Sequence, residues 1–432
     1  MVSSFRLRRA AGLAALAALT LATVAPAQQA FPAYREGDES VMARNVLPPG
    51  QGRFMNGPEL VQAQATGEQP PMNTNQIGLY DSLVQATPGL TLADIPKYFK
   101  DASFGVPPTE VDRVYRPRPG VTVVRDRTYQ VPHVYGDSRA DTMFGTGYVS
   151  AEDRLFMMDV LRHTGRGRLS QFLGASDSNL QMDRAQLAGA DYTEEELQAM
   201  IDRLPKVDPV LGAQAKKDLE DYTAGVNAYI TEALTDPRKL PGEYEALQQV
   251  PLPWKVTDSV ATASLIGAQL GVGGGAELRN AAFVSALSRE GYPPSAARAI
   301  LADFRFANDP EAPTTTSRSF PWMQDLGSVD PASVAMPDDA APAQQAISRS
   351  TFPDTIDGPF GPIRLGFPEG ASNALLVGSK LSATRRPLAV FGPQVGYWSP
   401  EILMEIDMHG PGIHARGAAF PGISLYVLLG RG

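Results

Sequence analysis

The chain has 432 residues, of which 43% are hydrophobic and 20% are charged, and this composition is typical of a globular protein with a large buried core. Its formal net charge of -9 argues against nucleic acid or an anionic membrane surface as a partner. Because the chain contains no cysteine, disulfides, thiolate metal sites and a cysteine nucleophile are excluded.

Residues 1–27 have the three parts of an export signal. The first nine residues carry three arginines, an apolar run without charges follows, and Ala25-Pro26-Ala27 fits the small residues that precede a signal cleavage site. The apolar run is too short to be a comfortable membrane span. We therefore expect a secreted or periplasmic protein without a membrane-spanning segment, whose mature chain begins at Gln28.

Residues 28–113 are rich in Gln, Pro, Gly and Asn. Short apolar patterns near residues 55–60 and 76–85 predict a few short helices. We interpret this segment as an irregular N-terminal extension that lies on the surface of the domain that follows, and nothing in it indicates chemistry.

A domain with strands followed by helices is predicted for residues 114–307. Val121–Asp126 alternates and is rich in β-branched residues, which predicts a strand, and Val131–Tyr135 is its expected hairpin partner. Apolar residues at helical spacing predict a helix over Thr142–Arg162. Further helices are predicted over Asp218–Thr235, Ser259–Leu270 and Leu278–Glu290.

His133 and the cluster Glu152-Asp153-Arg154 have side chains that are often catalytic. We interpret both as structural, with His133 as a hairpin residue and the charged cluster as capping and bridging the first turn of a helix. Other catalytic constellations, such as G-x-S-x-G, Ser-x-x-Lys and H-E-x-x-H, do not occur.

Residues 308–371 are rich in Pro, Asp, Ser and Ala and show little periodicity. Stretches of this length without secondary structure are uncommon inside a domain, so we interpret this one as either a linker or a spacer peptide. In residues 372–432, strands are predicted over Ala374–Gly378, Pro387–Gly392 and Ile402–His409.

The most informative stretch is the Ser-Asn pair that opens the first of these strands. Small residues precede Ser372, and some twenty residues later the chain reads Gly-Pro-Gln-x-Gly-aromatic-aromatic-x-Pro, from Gly392 to Pro400. This combination resembles the start of the β chain of the penicillin acylase family of N-terminal-nucleophile hydrolases. Upstream, Val131-Pro132-His133, Gly147-Tyr148-Val149 and Gly167-Arg168-Leu169-Ser170 resemble the family's α chain in a consistent order.

The resemblance implies an α+β protein with the four-layer αββα fold of N-terminal-nucleophile hydrolases. Its parts would be a signal (1–27), the extension (28–113), an α-chain region (114–307), an excised spacer (308–371) and the truncated start of a β chain (372–432). It implies an exported amide hydrolase that matures by cutting its own chain. The missing remainder of the β chain would then be a partner of these residues.

The resemblance also implies roles for individual residues. Ala371 is the expected cleavage-site residue, and Ser372 is the expected nucleophile, with its own α-amino group as the base. An α-amino group has a pKa of about 7.7–8.0, near the pH at which a general base works best. The backbone of Gln394 would support the nucleophile, and the substrate-binding residues would be Val395, Gly267 and Gly271.

A structural calcium ion is implied at Glu277, and no organic cofactor is implied. An equally good interpretation of Glu277 is a carboxylate that favours the N-terminus of the predicted helix beside it. The substrate would be an acyl amide such as a β-lactam side chain, an N-acyl-homoserine lactone or a lipopeptide. The alternative is an inactive, truncated family member that acts as a non-catalytic exported binding protein.

Overall fold

The computed structural model describes residues 31–86, 89–270, 276–304, 353, 355–364, 372–393, 395–396 and 399–432. The predicted signal lies outside these residues. Helices and strands are both abundant, which confirms the α+β class. None of the helices in these ranges is long and apolar enough to cross a membrane.

The helices of the described residues are short near the N-terminus and long in the core. They are α1 (Gly57–Thr66), α2 (Ile77–Ala86), α3 (Ile95–Tyr98), α4 (Arg139–Gly165), α5 (Leu169–Leu173), α6 (Asp177–Gly189), α7 (Glu194–Val207), α8 (Leu211–Thr235), α9 (Gly242–Leu247), α10 (Val256–Leu270), α11 (Ala276–Arg289) and α12 (Pro294–Phe304).

The strands of the described residues form one large sheet and three pairs. They are β1 (Arg44–Asn45), β2 (Lys100–Asp101), β3 (Val111–Arg118), β4 (Val121–Asp126), β5 (Pro132–Gly136), β6 (Thr355–Gly358), β7 (Gly361–Arg364), β8 (Asn373–Val377), β9 (Leu388–Gly392), β10 (Met404–Gly410), β11 (Ile413–Ala419) and β12 (Leu429–Arg431). The six-stranded sheet has the order β12-β11-β10-β5-β4-β3, and β1–β2, β6–β7 and β8–β9 pair separately.

The large sheet joins the predicted α-chain and β-chain regions. Strands β5 and β10 pair in parallel, with Asp407 opposite His133, whereas the other neighbours in this sheet are antiparallel. Helix α4 packs against the sheet and against α8. The main core therefore lies between one face of the sheet and the helices.

The predicted strand at Val121–Asp126 and its hairpin partner are confirmed, and so is the helix over Thr142–Arg162, which is longer than predicted. The interpretation of Glu152-Asp153-Arg154 as a first-turn cluster is wrong. These residues lie in the middle of α4, where Arg154 has non-helical backbone angles of φ -132° and ψ 16°. The kink lets the Arg154 side chain leave the helix and bind carbonyl groups of neighbouring loops.

The N-terminal extension does not simply lie on the surface. Gln51, Asn73, Gln76 and Lys100 are each at most 4% exposed. Gln51 binds the backbone of Glu405 in both directions, with its amide nitrogen donating and its amide oxygen accepting at 2.8 Å. A polar composition predicts a solvated segment, but here the polar groups find partners inside the protein.

The segment expected to lack structure contains the hairpin β6–β7. Its Ile356 side chain is fully buried in the main core. The backbone of Asp357 exchanges hydrogen bonds of 2.9 and 3.1 Å with the side chain of Asn179 in α6. Residues 355–364 are therefore attached to the α-chain region by both packing and hydrogen bonds.

Candidate active site

Ser372 immediately precedes strand β8 and is exposed. Strand β8 pairs with β9 in a register that runs from Asn373 opposite Gly392 to Val377 opposite Leu388. Ser372 is thus one residue beyond the last pair, at the end where Pro393 continues the other strand. The strand pair brings the Ser-Asn motif and the Gly-Pro motif together, as a nucleophile held next to its supporting loop requires.

The structure describes some of the other predicted site residues and not others. Ala371, Gln394 and Gly271 lie outside the described residues, and Glu277 is in helix α11 but its side chain is likewise outside them. Gly267 is exposed near the end of α10, and no atom lies within 4 Å of the position that a Cβ would take. Val395 is half-buried and packs against the main core. The roles assigned to these residues stay predictions.

The β8–β9 pair exposes an unusual amount of apolar surface. Leu375 and Leu376 are 71% and 70% exposed although they point to opposite faces of the strand, and Leu388 and Val390 are also exposed. A soluble domain seldom leaves both faces of a strand pair uncovered, because the apolar side chains and the open strand edges favour association. This surface is suited to being covered by further protein.

The histidine predicted to be structural belongs to a buried cluster. His133 Nδ1 lies 2.7 Å from one carboxylate oxygen of Asp407, and His409 Nε2 lies 2.8 Å from the other. The ring of Tyr135 stacks on His409 with centroids 4.7 Å apart. Both histidines and Asp407 are at most 4% exposed, so no substrate reaches them in this conformation.

The electrostatics of this cluster favour an ionised carboxylate. Burial works against the charged form of Asp407, but hydrogen bonds from His133 and His409, together with their charges, outweigh it and hold the pKa of Asp407 well below its usual range. A carboxylate fixed in this state between two imidazoles ties β5 to β10. Its role is structural.

The charged residues of α4 also make structural contacts. Arg125 forms a bidentate pair with Asp153, with distances of 2.7 and 3.0 Å, and it contacts Glu152 as well. Arg154 is fully buried, and its guanidinium donates to the carbonyl groups of Glu401, at 2.6 Å, and Gln51, at 3.0 Å. Arg125 therefore ties strand β4 to α4, and Arg154 ties α4 to the segments at Gln51 and Glu401.

Two cavities lie between the extension and strand β3. The larger, of ≈ 350 Å³, is lined by Arg113, Arg125 and Arg127 together with Asp112 and other residues, and the smaller is ≈ 280 Å³. Both linings mix charged residues with apolar or aromatic ones. Neither cavity is lined by Ser372 or by the predicted substrate-binding residues.

The described residues do not by themselves make a calcium site. Within them, no group of three or more His, Cys, Asp or Glu side chains is arranged to hold a metal ion. Calcium takes six to eight oxygen ligands, and Glu277 supplies at most two. No step of the chemistry below passes through the ion.

The sequence analysis missed the buried charged and polar residues of β10. In β10 the apolar residues Met404, Ile406 and Met408 alternate strictly with charged or polar ones, and the residues of both sets are buried. The charged set is Glu405, Asp407 and His409. Strict alternation of apolar and polar residues normally indicates a strand with one face in solvent. Only the burial of both faces would have revealed these charged residues, and the sequence of the strand does not show it.

The chain is similar to known proteins in both sequence and structure. A family model described as penicillin amidase matches residues 120–432. Penicillin G acylase of Escherichia coli is 26% identical over 326 residues, which is 70% of this chain and 37% of that protein. The acyl-homoserine lactone acylase QuiP of Pseudomonas fluorescens strain Pf-5 is 32% identical over 143 residues, which is 33% of this chain and 16% of that protein.

Among solved structures, a thermostable penicillin G acylase from Alcaligenes faecalis matches with a TM-score of 0.39 and 28% identity, covering 48% of this chain and 100% of that chain. The alignments with the curated relatives span at most about a third of those proteins. The family model, by contrast, matches well over half of the present chain. The chain therefore belongs to the penicillin acylase family of N-terminal-nucleophile hydrolases.

Proposed function

We propose that this chain is part of an exported amide hydrolase of the penicillin acylase type, with Ser372 as its nucleophile after the Ala371–Ser372 bond is cut. The observation that carries the proposal is the position of Ser372, exposed at the start of β8 and one residue beyond the Asn373–Gly392 pair. Family membership supports the reaction class, since relatives include penicillin acylases and acyl-homoserine lactone acylases.

In the maturation step the Ser372 hydroxyl attacks the carbonyl carbon of Ala371. The bond from that carbon to the Ser372 nitrogen breaks, so that the peptide becomes an ester on Oγ and the α-amine is freed. Water then hydrolyses the ester, leaving a carboxylate on Ala371. The product is a chain that begins with a serine whose amine lies beside its own hydroxyl.

In the catalytic step the freed amine takes the proton of the hydroxyl, directly or through water, while Oγ attacks the substrate carbonyl. The amine leaving group departs with a proton, and water hydrolyses the acyl-ester to release the acid. Preorganised donors must stabilise the oxyanion. The chain spans only about a third of penicillin G acylase, and we infer that further β-chain residues supply those donors and cover the exposed β8–β9 pair.

The substrate class is an acyl amide, with a β-lactam side chain, an N-acyl-homoserine lactone and a lipopeptide as candidates. Gly267, Gly271 and Val395 are proposed to line the acyl pocket, and the backbone of Gln394 is proposed to support the nucleophile. Hydrolysis of a panel of chromogenic amides with short, aromatic and long acyl groups would identify the acyl preference. Export follows from the signal-like order of residues 1–27.

The test of the nucleophile uses the full-length precursor and its Ser372→Ala variant. Mass spectrometry should find a chain beginning at Ser372 in the wild type and one uncut chain in the variant, because the variant lacks the attacking hydroxyl. Amide hydrolysis should be lost along with the cleavage. A Ser372→Ala precursor that still yields a chain beginning at residue 372 would show that the cleavage is not autocatalytic.

Glu277 is proposed to be one ligand of a structural calcium ion in the complete, matured protein. We expect calcium to be retained through dialysis by the wild type and lost in the Glu277→Gln variant, because hard cations bind carboxylate oxygens. Metal analysis measures this directly. If chelation leaves the melting temperature unchanged and dialysed wild type holds no calcium, Glu277 has no metal-binding role.

A further inference from the structure

Six consecutive residues of the extension lie against the strands of the predicted β-chain region. They are residues 100–105, with the sequence Lys-Asp-Ala-Ser-Phe-Gly, and they are called the clamp segment below. The segment lies outside the residues that the family model matches. All of its residues except Asp101 are buried.

The first contacts of the clamp segment are ionic and completely desolvated. Lys100 forms an ion pair with Glu405 of β10, and the side chains of both are 1% exposed. Glu405 is also bound by Arg416 of β11, whose Nε lies 2.8 Å from the other carboxylate oxygen. A buried carboxylate needs such compensation, since removing one partner leaves uncompensated charge in the interior.

The backbone of the clamp segment forms three hydrogen bonds with side chains of β10 and β11. Arg416 donates to the carbonyl groups of Asp101 and Ser103, and the amide of Gly105 donates to Asp407 of β10 at 2.8 Å. Gly105 has a φ of +76°, a conformation that favours glycine. These contacts require a particular backbone conformation in the clamp segment, so charge alone does not account for the binding.

The end of the clamp segment packs against the last strand. Arg431 of β12 donates to the carbonyl of Ala102 at 3.1 Å, and its guanidinium lies over the ring of Phe104 at 4.0 Å. Phe104 is 3% exposed and meets the ring of His409 edge-on, with centroids 5.4 Å apart. The segment therefore contacts three successive strands, β10, β11 and β12.

We propose that the clamp segment holds the β chain onto the α chain. It is hydrogen-bonded to residues 38–45 of the extension and also binds strands β10–β12, which lie beyond the processing site. This inference rests on the proposed function, since only cleavage between Ala371 and Ser372 places the two sides on different chains. The partner that the surface on β10–β12 fits is an extended segment with a buried lysine, an aromatic residue and a glycine at the last position. The extension would then hold the α and β chains together after the cut.

The experiment separates the tether from the proposed self-cleavage. A recognition sequence for a specific protease is inserted after Gly370 in the full chain, so that hairpin β6–β7 stays with the α-chain region. Ser372→Ala removes the proposed nucleophile, so the added protease makes the cut. The two pieces are then followed by size-exclusion chromatography in increasing urea. Failure of self-cleavage leaves this test intact.

The Lys100→Met and Phe104→Ala variants should release the piece that contains β10–β12 at lower urea than the parent. For Phe104→Ala the apparent association should weaken by about a hundredfold or more, as expected for a fully buried ring. Lys97→Met is the matched control, since its ion pair with Asp94 is at the surface, with the lysine side chain 67% exposed. Lys97→Met should behave as the parent.

The milder Phe104→Leu variant keeps the test usable if Phe104→Ala does not fold. Circular dichroism before the cut checks that each variant is folded. Phe104→Leu should give a smaller shift in the same direction, because leucine keeps much of the buried volume. If folded Phe104 variants and Lys97→Met release the piece at the same urea concentration, the clamp segment does not hold the chains together.

Discussion

The residue with the most informative electrostatic environment is Glu401, which lies between the predicted nucleophile block and β10. It is 1% exposed, and one of its carboxylate oxygens accepts a hydrogen bond from the backbone of Ile402 at 2.9 Å. The other oxygen is buried and has no hydrogen-bond partner in the described part of the chain. Burial raises the pKa of Glu401 to about 8, against the opposing effects of that backbone amide and of Arg154.

The raised pKa predicts a loss of stability on the alkaline side. The folded protein holds the Glu401 proton up to about pH 8, whereas the unfolded chain releases it near pH 4.3, so folding stability falls as the pH rises through this range. Glu401→Gln should flatten that part of the profile. The stability of the variant relative to the wild type should therefore be higher at pH 9 than at pH 4, by on the order of 5 kcal/mol.

Urea unfolding measured from pH 4 to pH 9 checks this prediction, with Glu39→Gln as control because the Glu39 side chain is 87% exposed. Parallel profiles for Glu401→Gln and the wild type would show that Glu401 is ionised in the folded protein. The sequence predicts a strand beginning next to this residue but not its pKa, since the pKa depends on how deeply the folded chain buries the carboxyl group.

At the scale of the elements, the sequence predicts best where apolar periodicity is strong. The sequence predicts strand β4 from its β-branched Val and Thr residues, and helix α4 from apolar residues that recur at helical spacing. No prediction was made for α6, because many of its buried residues, including Asn179, Asp183 and Gln186, are polar. Such a helix has no apolar stripe for periodicity to detect.

The packing of α4 on α8 depends on two glycines whose importance the periodicity does not show. A Cβ built at Gly225 of α8 would lie 1.9 Å from the carbonyl oxygen of Phe144, and one at Gly147 of α4 would lie 2.0 Å from that of Tyr222. Both clashes are with backbone atoms, which cannot move away by a change of rotamer as a side chain can. The two helices approach this closely only because neither position has a side chain.

Gly225→Ala should therefore destabilise the protein by about 3 kcal/mol, since the helices must move apart and open the core beside them. The matched control is Gly78→Ala in α2, where nothing lies within 4 Å of the added Cβ and alanine favours the helix. Thermal and urea unfolding of the two variants measure the contrast. Equal stability of both would mean that α4 and α8 adjust without cost.

At the scale of the whole molecule, the sequence predicts the order of the regions but not how they meet. The parallel β5–β10 junction and the clamp segment join residues about 270 to 330 positions apart, as the pairs His133–Asp407 and Ala102–Arg431 show. Local sequence patterns do not show which distant residues will be in contact. The family resemblance predicts that the α-chain and β-chain regions form one unit. The extension lies outside the residues that the family model matches, so only the structure shows that the extension belongs to that unit.

The junction between the two regions should make the protein sensitive to acid. Asp407 faces His133 of β5, His409 of its own strand and the amide of Gly105, while Asp126 of β4 and Arg416 of β11 lie close by. Although burial opposes its ionisation, these hydrogen bonds hold the pKa of Asp407 below its usual range. Its contribution to stability is therefore complete above the unfolded-state pKa of about 3.9 and is lost as the pH falls below that value.

Asp407→Asn tests this at the junction itself. The variant should be less stable than the wild type at pH 7, because the two imidazoles lose their carboxylate, and its stability should change less between pH 5 and pH 2. Asp94→Asn is the control, since Asp94 pairs with Lys97 at the surface and a solvent-exposed pair contributes little. Circular dichroism during acid titration follows the unfolding, and an Asp407→Asn profile that keeps the full wild-type loss below pH 4 would place the acid sensitivity elsewhere in the molecule.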